Sequence, residues 1–128
     1  MLKEEILLNS IHYNVVPLKS FQESLDSFPK RSQRKIKEKI EKMLTVDPYR
    51  YIMLKGIYTY KNVSFVGLRK MKTGVKGHRG GVYILYRICE ECRKNGYYKK
   101  SGDKCEFCDD GMEKRVVLFI VRPRSMGY

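Results

Sequence analysis

Val82-Tyr-Ile-Leu-Tyr-Arg-Ile88 runs without a break into Cys89-Glu-Glu-Cys92, and Val116-Val-Leu-Phe-Ile-Val-Arg122 resumes soon after a second pair, Cys105-Glu-Phe-Cys108. Both runs are rich in β-branched and aromatic residues and read as strands. The simplest arrangement is two neighbouring antiparallel strands with the cysteine segment in their connection. The spacing is CxxC, twelve residues, CxxC, and the chain holds four cysteines in all. Each two-residue gap lets both thiolates of a pair turn onto one ion, and two such pairs make a closed tetrahedral site with Zn–S near ~2.3 Å. The expectation is one structural Zn2+ held by Cys89, Cys92, Cys105 and Cys108, in a ribbon inserted over residues 89–114. Two disulfides or four free thiols are the competing readings. Metal closing this long loop would offset its entropy and stiffen the hairpin. Tyr97, Tyr98 and Phe107 in the ribbon are candidate binding contacts, beside the reading in which the ribbon only stiffens a hairpin. No secretory signal opens the chain, so a reducing cytoplasm is expected.

Upstream, the chain changes period. Residues 11–17 (IHYNVVP) read as a first strand with Ile11, Tyr13 and Val15 apolar, and His12 as a partly buried strand residue. Phe21, Leu25 and Phe28 share one helical face. Pro29 suits the first turn of a second helix, whose stripe is Ile36, Ile40, Met43 and Leu44, with Asp47-Pro48 ending it. The other face of that helix carries Lys30, Arg31, Arg34, Lys35, Lys37, Lys39 and Lys42, which reads first as a solvated surface. Val63 to Met71 reads as a further strand. Thr73 to Gly81 is a basic, glycine-rich loop with no dinucleotide or P-loop spacing. The fold expected is α+β: one domain over residues 1–128, a small twisted antiparallel sheet, and a helical hairpin packed on one face.

Lys and Arg number 27 against 14 Asp and Glu, a net charge of +13 over 128 residues. Such a surface gathers polyanions and speeds encounter with them, so nucleic acid or a ribosome is the natural partner. A membrane is not expected, because no long apolar span exists. No facing carboxylate pair and no serine or cysteine nucleophile stands out; Glu90, Glu91, Asp109 and Asp110 gather around the cysteines.

The order of elements, together with Leu54-Lys55-Gly56, the alternating Lys70-Met-Lys72, the aromatic strand at 82–88 and the tail Arg122-Pro-Arg124-Ser-Met-Gly-Tyr128, resembles the RelE/ParE toxin superfamily, in particular its mRNA-cleaving RelE branch. The resemblance spans roughly residues 11–88 and 115–128 and leaves out the ribbon. It implies a twisted sheet carrying a metal-independent endoribonuclease that acts on mRNA in the ribosome, within a toxin–antitoxin pair and so with a cognate antitoxin. In that chemistry a ribose 2′-OH attacks the adjacent phosphate and expels the 5′-oxygen. The step needs a base, cations for the growing charge, and an acid.

The resemblance makes Lys70, Lys72, Arg79, Arg122 and Tyr128 the catalytic candidates. Lys70 and Lys72 fall on one strand face, and Arg69, Arg79 and Arg122 would crowd them, favouring a base role. Arg79 and Arg122 would hold phosphate through paired hydrogen bonds. Tyr128 would stack on a base or donate a proton. Arg69, Lys76, His78 and Arg124 are candidate RNA contacts, and loop His78 is also a candidate base. The family commonly has an arginine where this chain has Tyr83; Arg79 lies four residues earlier. Two other readings stay open: a non-catalytic nucleic-acid- or ribosome-binding protein on this scaffold, and a ParE-like topoisomerase inhibitor. ParE-like proteins lack the alternating lysines and the tail Arg and Tyr.

Overall fold

Strand β6 (Val82–Ile88) is buried at every position, because it lies between two strands and both its faces are covered. A computed structural model describes residues 12–54, 59–60, 63–64, 67–75, 81–96 and 114–123. Within these, β1 (Asn14–Pro17) leads into helices α1 (Lys19–Asp26) and α2 (Lys30–Met43), then a single 3-10 turn at Pro48–Arg50. Strands β2 (Ile52–Met53), β3 (Thr59–Tyr60), β4 (Val63–Ser64) and β5 (Arg69–Thr73) precede β6. Helix α3 (Cys89–Asn95) and strand β7 (Arg115–Pro123) follow it. The main sheet has the order β1-β7-β6-β5-β2, and β3 and β4 form a separate hairpin.

Helices α1 and α2 cover one face of the sheet. Phe21, Leu25, Phe28, Ile36, Ile40 and Leu44 are buried there against Met71, Ile84, Tyr86, Ile88, Val116, Leu118 and Val121. The spacing of the helix residues gives each helix one apolar stripe, and burying that stripe stabilises helices whose own propensity is modest. The other sheet face has its own smaller cluster of Leu68, Leu85, Cys89, Val117, Phe119 and Ile120.

Several sequence expectations shift. The sheet is mixed rather than antiparallel: β1 pairs with β7 in parallel, from Asn14↔Arg115 to Pro17↔Leu118, because the chain crosses over the face in helices before it returns. The first strand begins at Asn14, and His12 is exposed ahead of it; Ile11 lies outside the described residues. The run 63–71 is not one strand. Gly67, with φ of 74°, turns the chain between β4 and β5, a conformation that glycine adopts without a Cβ clash. Pro29 is the N-cap of α2 rather than a first-turn residue, with ψ of 150°. That helix ends at Met43, ahead of Asp47-Pro48, and Met43 is only partly buried.

Candidate nucleic-acid interface

Lys70 and Lys72 project from β5 on the face away from the helices, since Met71 between them is in the helix-side core. In the β5–β6 register Lys72 stands opposite Tyr83, and in the β6–β7 register Tyr83 stands opposite Arg122. One rung of the sheet therefore reads Lys72, Tyr83, Arg122, with Lys70 diagonal to Tyr83. The Tyr83 ring gathers both lysines: the Lys70 Nζ is 4.7 Å from its centroid and the Lys72 Nζ 5.9 Å. An ammonium over a ring face is drawn by the ring's quadrupole. Lys72 is exposed, while Lys70 and Arg122 are half-buried. Two cavities lie elsewhere. One, of about 340 Å³, is lined by β1, α1 and α2 residues, and the other, of about 530 Å³, by Tyr49, Arg69, Glu90, Glu91, Lys94 and Asn95. The cation group sits on sheet surface rather than in either, which fits a chain-like anion better than a small enclosed ligand.

Arg122 reaches this face through a β-bulge. Val116 and Leu118 point to the helix-side core, and simple alternation would send Ile120 and Arg122 the same way. The β6–β7 register instead slips by one: Tyr86 faces Leu118, Leu85 faces Ile120, and Phe119 has no partner. Past the bulge Val121 turns to the helices and Ile120 joins Phe119 in the opposite cluster. Arg122 follows Ile120. Bulges commonly re-aim a side chain in this way. Helix α1 binds the edge that β1 leaves open after Pro17. Ser20 Oγ donates to the Phe119 carbonyl at 2.7 Å, and the Val121 N–H donates to Ser24 Oγ at 3.0 Å. Sequence reasoning missed Ser20 and Ser24; their one signal was two serines at i and i+4 beside apolar Phe21 and Leu25.

Arg69 stands apart from the lysines it precedes. Alternation puts it on the Met71 side, where its Nε and Nη2 donate to the two Glu91 carboxylate oxygens at 3.0 and 3.1 Å. Its Nη1 donates to the Tyr49 and Tyr51 carbonyls at 3.1 and 2.6 Å, and its guanidinium lies 5.2 Å from the Tyr49 ring centroid. This arginine pins the turn after α2 and helix α3 to β5. The side chain expected from sequence among the RNA contacts thus holds a post within the fold. Tyr49 and Tyr13 meet edge to face at 6.3 Å. Burial, then the Glu90 carboxylate, raises both phenols above their usual 10.0.

Neither a family model nor a curated protein sequence matches the chain. A solved structure does. A chain of the toxin–antitoxin complex RelBE2 (Rv2865-2866) from Mycobacterium tuberculosis superposes with a TM-score of 0.54 at 18% identity, covering 90% of this chain and 94% of that one. The fold is RelE-like. On this RelE-like sheet the expected loop and tail candidates attach at one end. Residues 76–80, with Lys76, His78 and Arg79, join Val75 to Gly81, and residues 124–128, with Arg124 and Tyr128, follow Pro123. Thr73, Val82 and Pro123 form the rung next to Lys72, Tyr83 and Arg122. The loop and tail residues themselves lie outside the described residues. Gly81, with φ of +83°, comes so close to β5 that a Cβ would sit 2.3 Å from the Thr73 carbonyl oxygen, so glycine is required where that hairpin closes.

Cys89 and Cys92 are at the other end of β6. Cys89 and Cys92 open α3, and both are buried. Their CxxC is thus one turn of helix, not an extended knuckle. Arg115 is buried and its Nε donates to Cys89 Sγ at 3.2 Å. Cys105 and Cys108 fall outside the described residues, and among the described residues no group of three or more metal-ligating side chains occurs. Cys89 comes six positions after Tyr83, at the end of β6, about 20 Å at strand rise. No described helix is long and apolar enough to cross a membrane.

Proposed function

We propose that this protein is a toxin-like endoribonuclease that cuts mRNA on the ribosome and is held in check by a cognate antitoxin. The observation that carries the reading is the single rung Lys72–Tyr83–Arg122 with Lys70 beside it. It puts three cations together on the face of a RelE-like sheet that lies away from the helices. The structural relative is part of a toxin–antitoxin complex, which supports an antitoxin as partner. The net charge of +13 supports a polyanionic substrate.

In this reading the ribose 2′-oxygen forms the new bond to phosphorus while the bond from phosphorus to the 5′-oxygen breaks. Products are a 2′,3′-cyclic phosphate and a 5′-hydroxyl. One lysine of the Lys70–Lys72 pair takes the 2′-OH proton as base in its neutral amine form, while the other stays an ammonium beside the phosphate. The Arg122 guanidinium, fixed at the end of β7, donates to the non-bridging oxygens as charge grows on them. The leaving 5′-oxygen takes a proton from an acid, the role assigned to tail Tyr128, with Arg79 and Arg124 as further phosphate contacts and Lys76 and His78 as RNA contacts.

The four cysteines are assigned to one structural zinc. Arg115 supports this, because a guanidinium donating to Cys89 Sγ offsets part of the negative charge a tetrathiolate centre carries. Cys89 lies about 20 Å of strand from Tyr83, so a zinc held there would serve the fold rather than the reaction.

The test is cleavage of mRNA on programmed ribosomes, with 5′ ends mapped. Wild type should cut within the ribosomal site, and Arg122→Ala should lose about 10²–10³ in rate, roughly 3–4 kcal/mol, as removal of an oxyanion donor does. Circular dichroism checks the fold. Equal cleavage by wild type and variant removes Arg122 from the site. RNA binding without cleavage by wild type favours the non-catalytic binding protein, and gyrase or topoisomerase inhibition without RNA binding favours the ParE-like reading.

A further inference from the structure

We infer that Tyr83 is the positioning residue of the cationic face: its ring holds the Lys70 and Lys72 ammonium groups in one arrangement that meets a phosphodiester of RNA. The inference deepens the RNA reading above and rests on it. Two flexible lysine side chains two residues apart on a strand repel each other and would spread into solvent. The Tyr83 ring opposes this, with the Lys70 Nζ at 4.7 Å and the Lys72 Nζ at 5.9 Å from one centroid.

The ring is itself fixed. Tyr83 is only 9% exposed, its strand is buried along its length, and cross-strand pairing sets it between Lys72 and Arg122. A ring so covered is not a platform for stacking a nucleobase. Its work is on the lysines. The ring face rather than the hydroxyl carries this role, so phenylalanine would serve at the same position and an aliphatic residue would not.

The experiment has two arms on the full-length protein. In the first, proton–carbon and proton–nitrogen NMR reads the ends of Lys70 and Lys72, assigned through Lys70→Arg and Lys72→Arg. Wild type should show ring-current displacement of both lysine ends, kept in Tyr83→Phe and lost in Tyr83→Leu. In the second, affinity is measured at fixed salt for a short RNA whose 2′-hydroxyls are methylated, so that it cannot be cut. Tyr83→Leu should bind about tenfold more weakly, in line with two cation–π contacts, and Tyr83→Phe within about twofold of wild type.

RNA binding by wild type with no ring-current displacement overturns the role of Tyr83. So does loss of affinity in Tyr83→Phe as large as in Tyr83→Leu. Ring-current displacement in a wild-type protein that does not bind RNA overturns instead the RNA reading on which the inference rests. The wild-type spectrum decides the first point even if Tyr83→Leu fails to fold.

Discussion

Ser24 Oγ accepts the N–H of Val121 at 3.0 Å while donating to the Phe21 carbonyl at 2.8 Å, so one helix hydroxyl joins α1 to the strand just beyond its bulge. Val121 is followed by Arg122. The helix side of the molecule thereby helps set a cation on the far face of the sheet.

Ser24→Ala should cost about 1–2 kcal/mol, since it leaves the Val121 N–H without its side-chain acceptor. Cleavage, where it is measured, should fall by more than the stability loss explains, because Arg122 is re-aimed. Ser27→Ala, which removes an exposed hydroxyl bonded to the Ser24 carbonyl, is the control and should change little. Chemical denaturation read beside activity checks both. Equal behaviour of the two variants would remove Ser24 from this role.

Arg69 and Glu91 should be energetically coupled. The two side chains are 16% and 9% exposed. Either single truncation leaves a poorly solvated charge, at a cost of about 3 kcal/mol. The double variant Arg69→Met, Glu91→Gln should lose less than the two singles together, with a coupling of about 1–3 kcal/mol. A double-mutant cycle in urea measures it. Strict additivity would show the pair to be independent, despite its two hydrogen bonds.

Tyr86 should make the protein sensitive to alkali. Its hydroxyl donates to the Pro48 carbonyl, and burial, the largest cause, raises its phenol well above 10.0. The neutral form is favoured in the fold, so its contribution is complete below the unfolded value and is lost as pH rises from about 10 toward the folded one. Tyr86→Phe should cost about 1 kcal/mol at neutral pH and flatten the fall in stability above pH 10. Tyr13 and Tyr49, also raised, should leave a residual slope. Melting curves between pH 8 and pH 11.5 test this; an unchanged alkaline slope in Tyr86→Phe would rule Tyr86 out as its source.

Metal analysis should find about one zinc per chain, and cysteine-to-serine changes at Cys89, Cys92, Cys105 or Cys108 should abolish it. Chelation should raise hydrogen exchange across residues 89–114 well before the strands β6 and β7, since all four ligands belong to one connection. Arg115→Leu should weaken zinc retention against a competing chelator by about tenfold or more, as outer-shell partners do. Two disulfides in protein purified under native intracellular conditions would sink the assignment.

Much of this protein was legible in its residues. The helix stripes at Phe21, Leu25, Ile36 and Ile40, the buried run at 82–88 and the lysine alternation at 70 and 72 follow from local periodicity, which sequence carries directly. Strand alternation already puts Arg69 on the Met71 side, away from the lysines; what sequence did not show is its partner Glu91, which lies 22 residues away and becomes a neighbour only when α3 folds back on β5. The parallel β1–β7 pairing has the same origin, a contact between the two ends of the domain. The side of the sheet that Arg122 takes is decided by tertiary structure alone. Alternation from Val116 points it toward the helices; the unpaired Phe119, with its carbonyl bound by Ser20 and the Val121 N–H two residues on bound by Ser24, turns it to Tyr83. Periodicity is a property of one strand, whereas a bulge is a property of the pairing between strands, and only the folded sheet contains that.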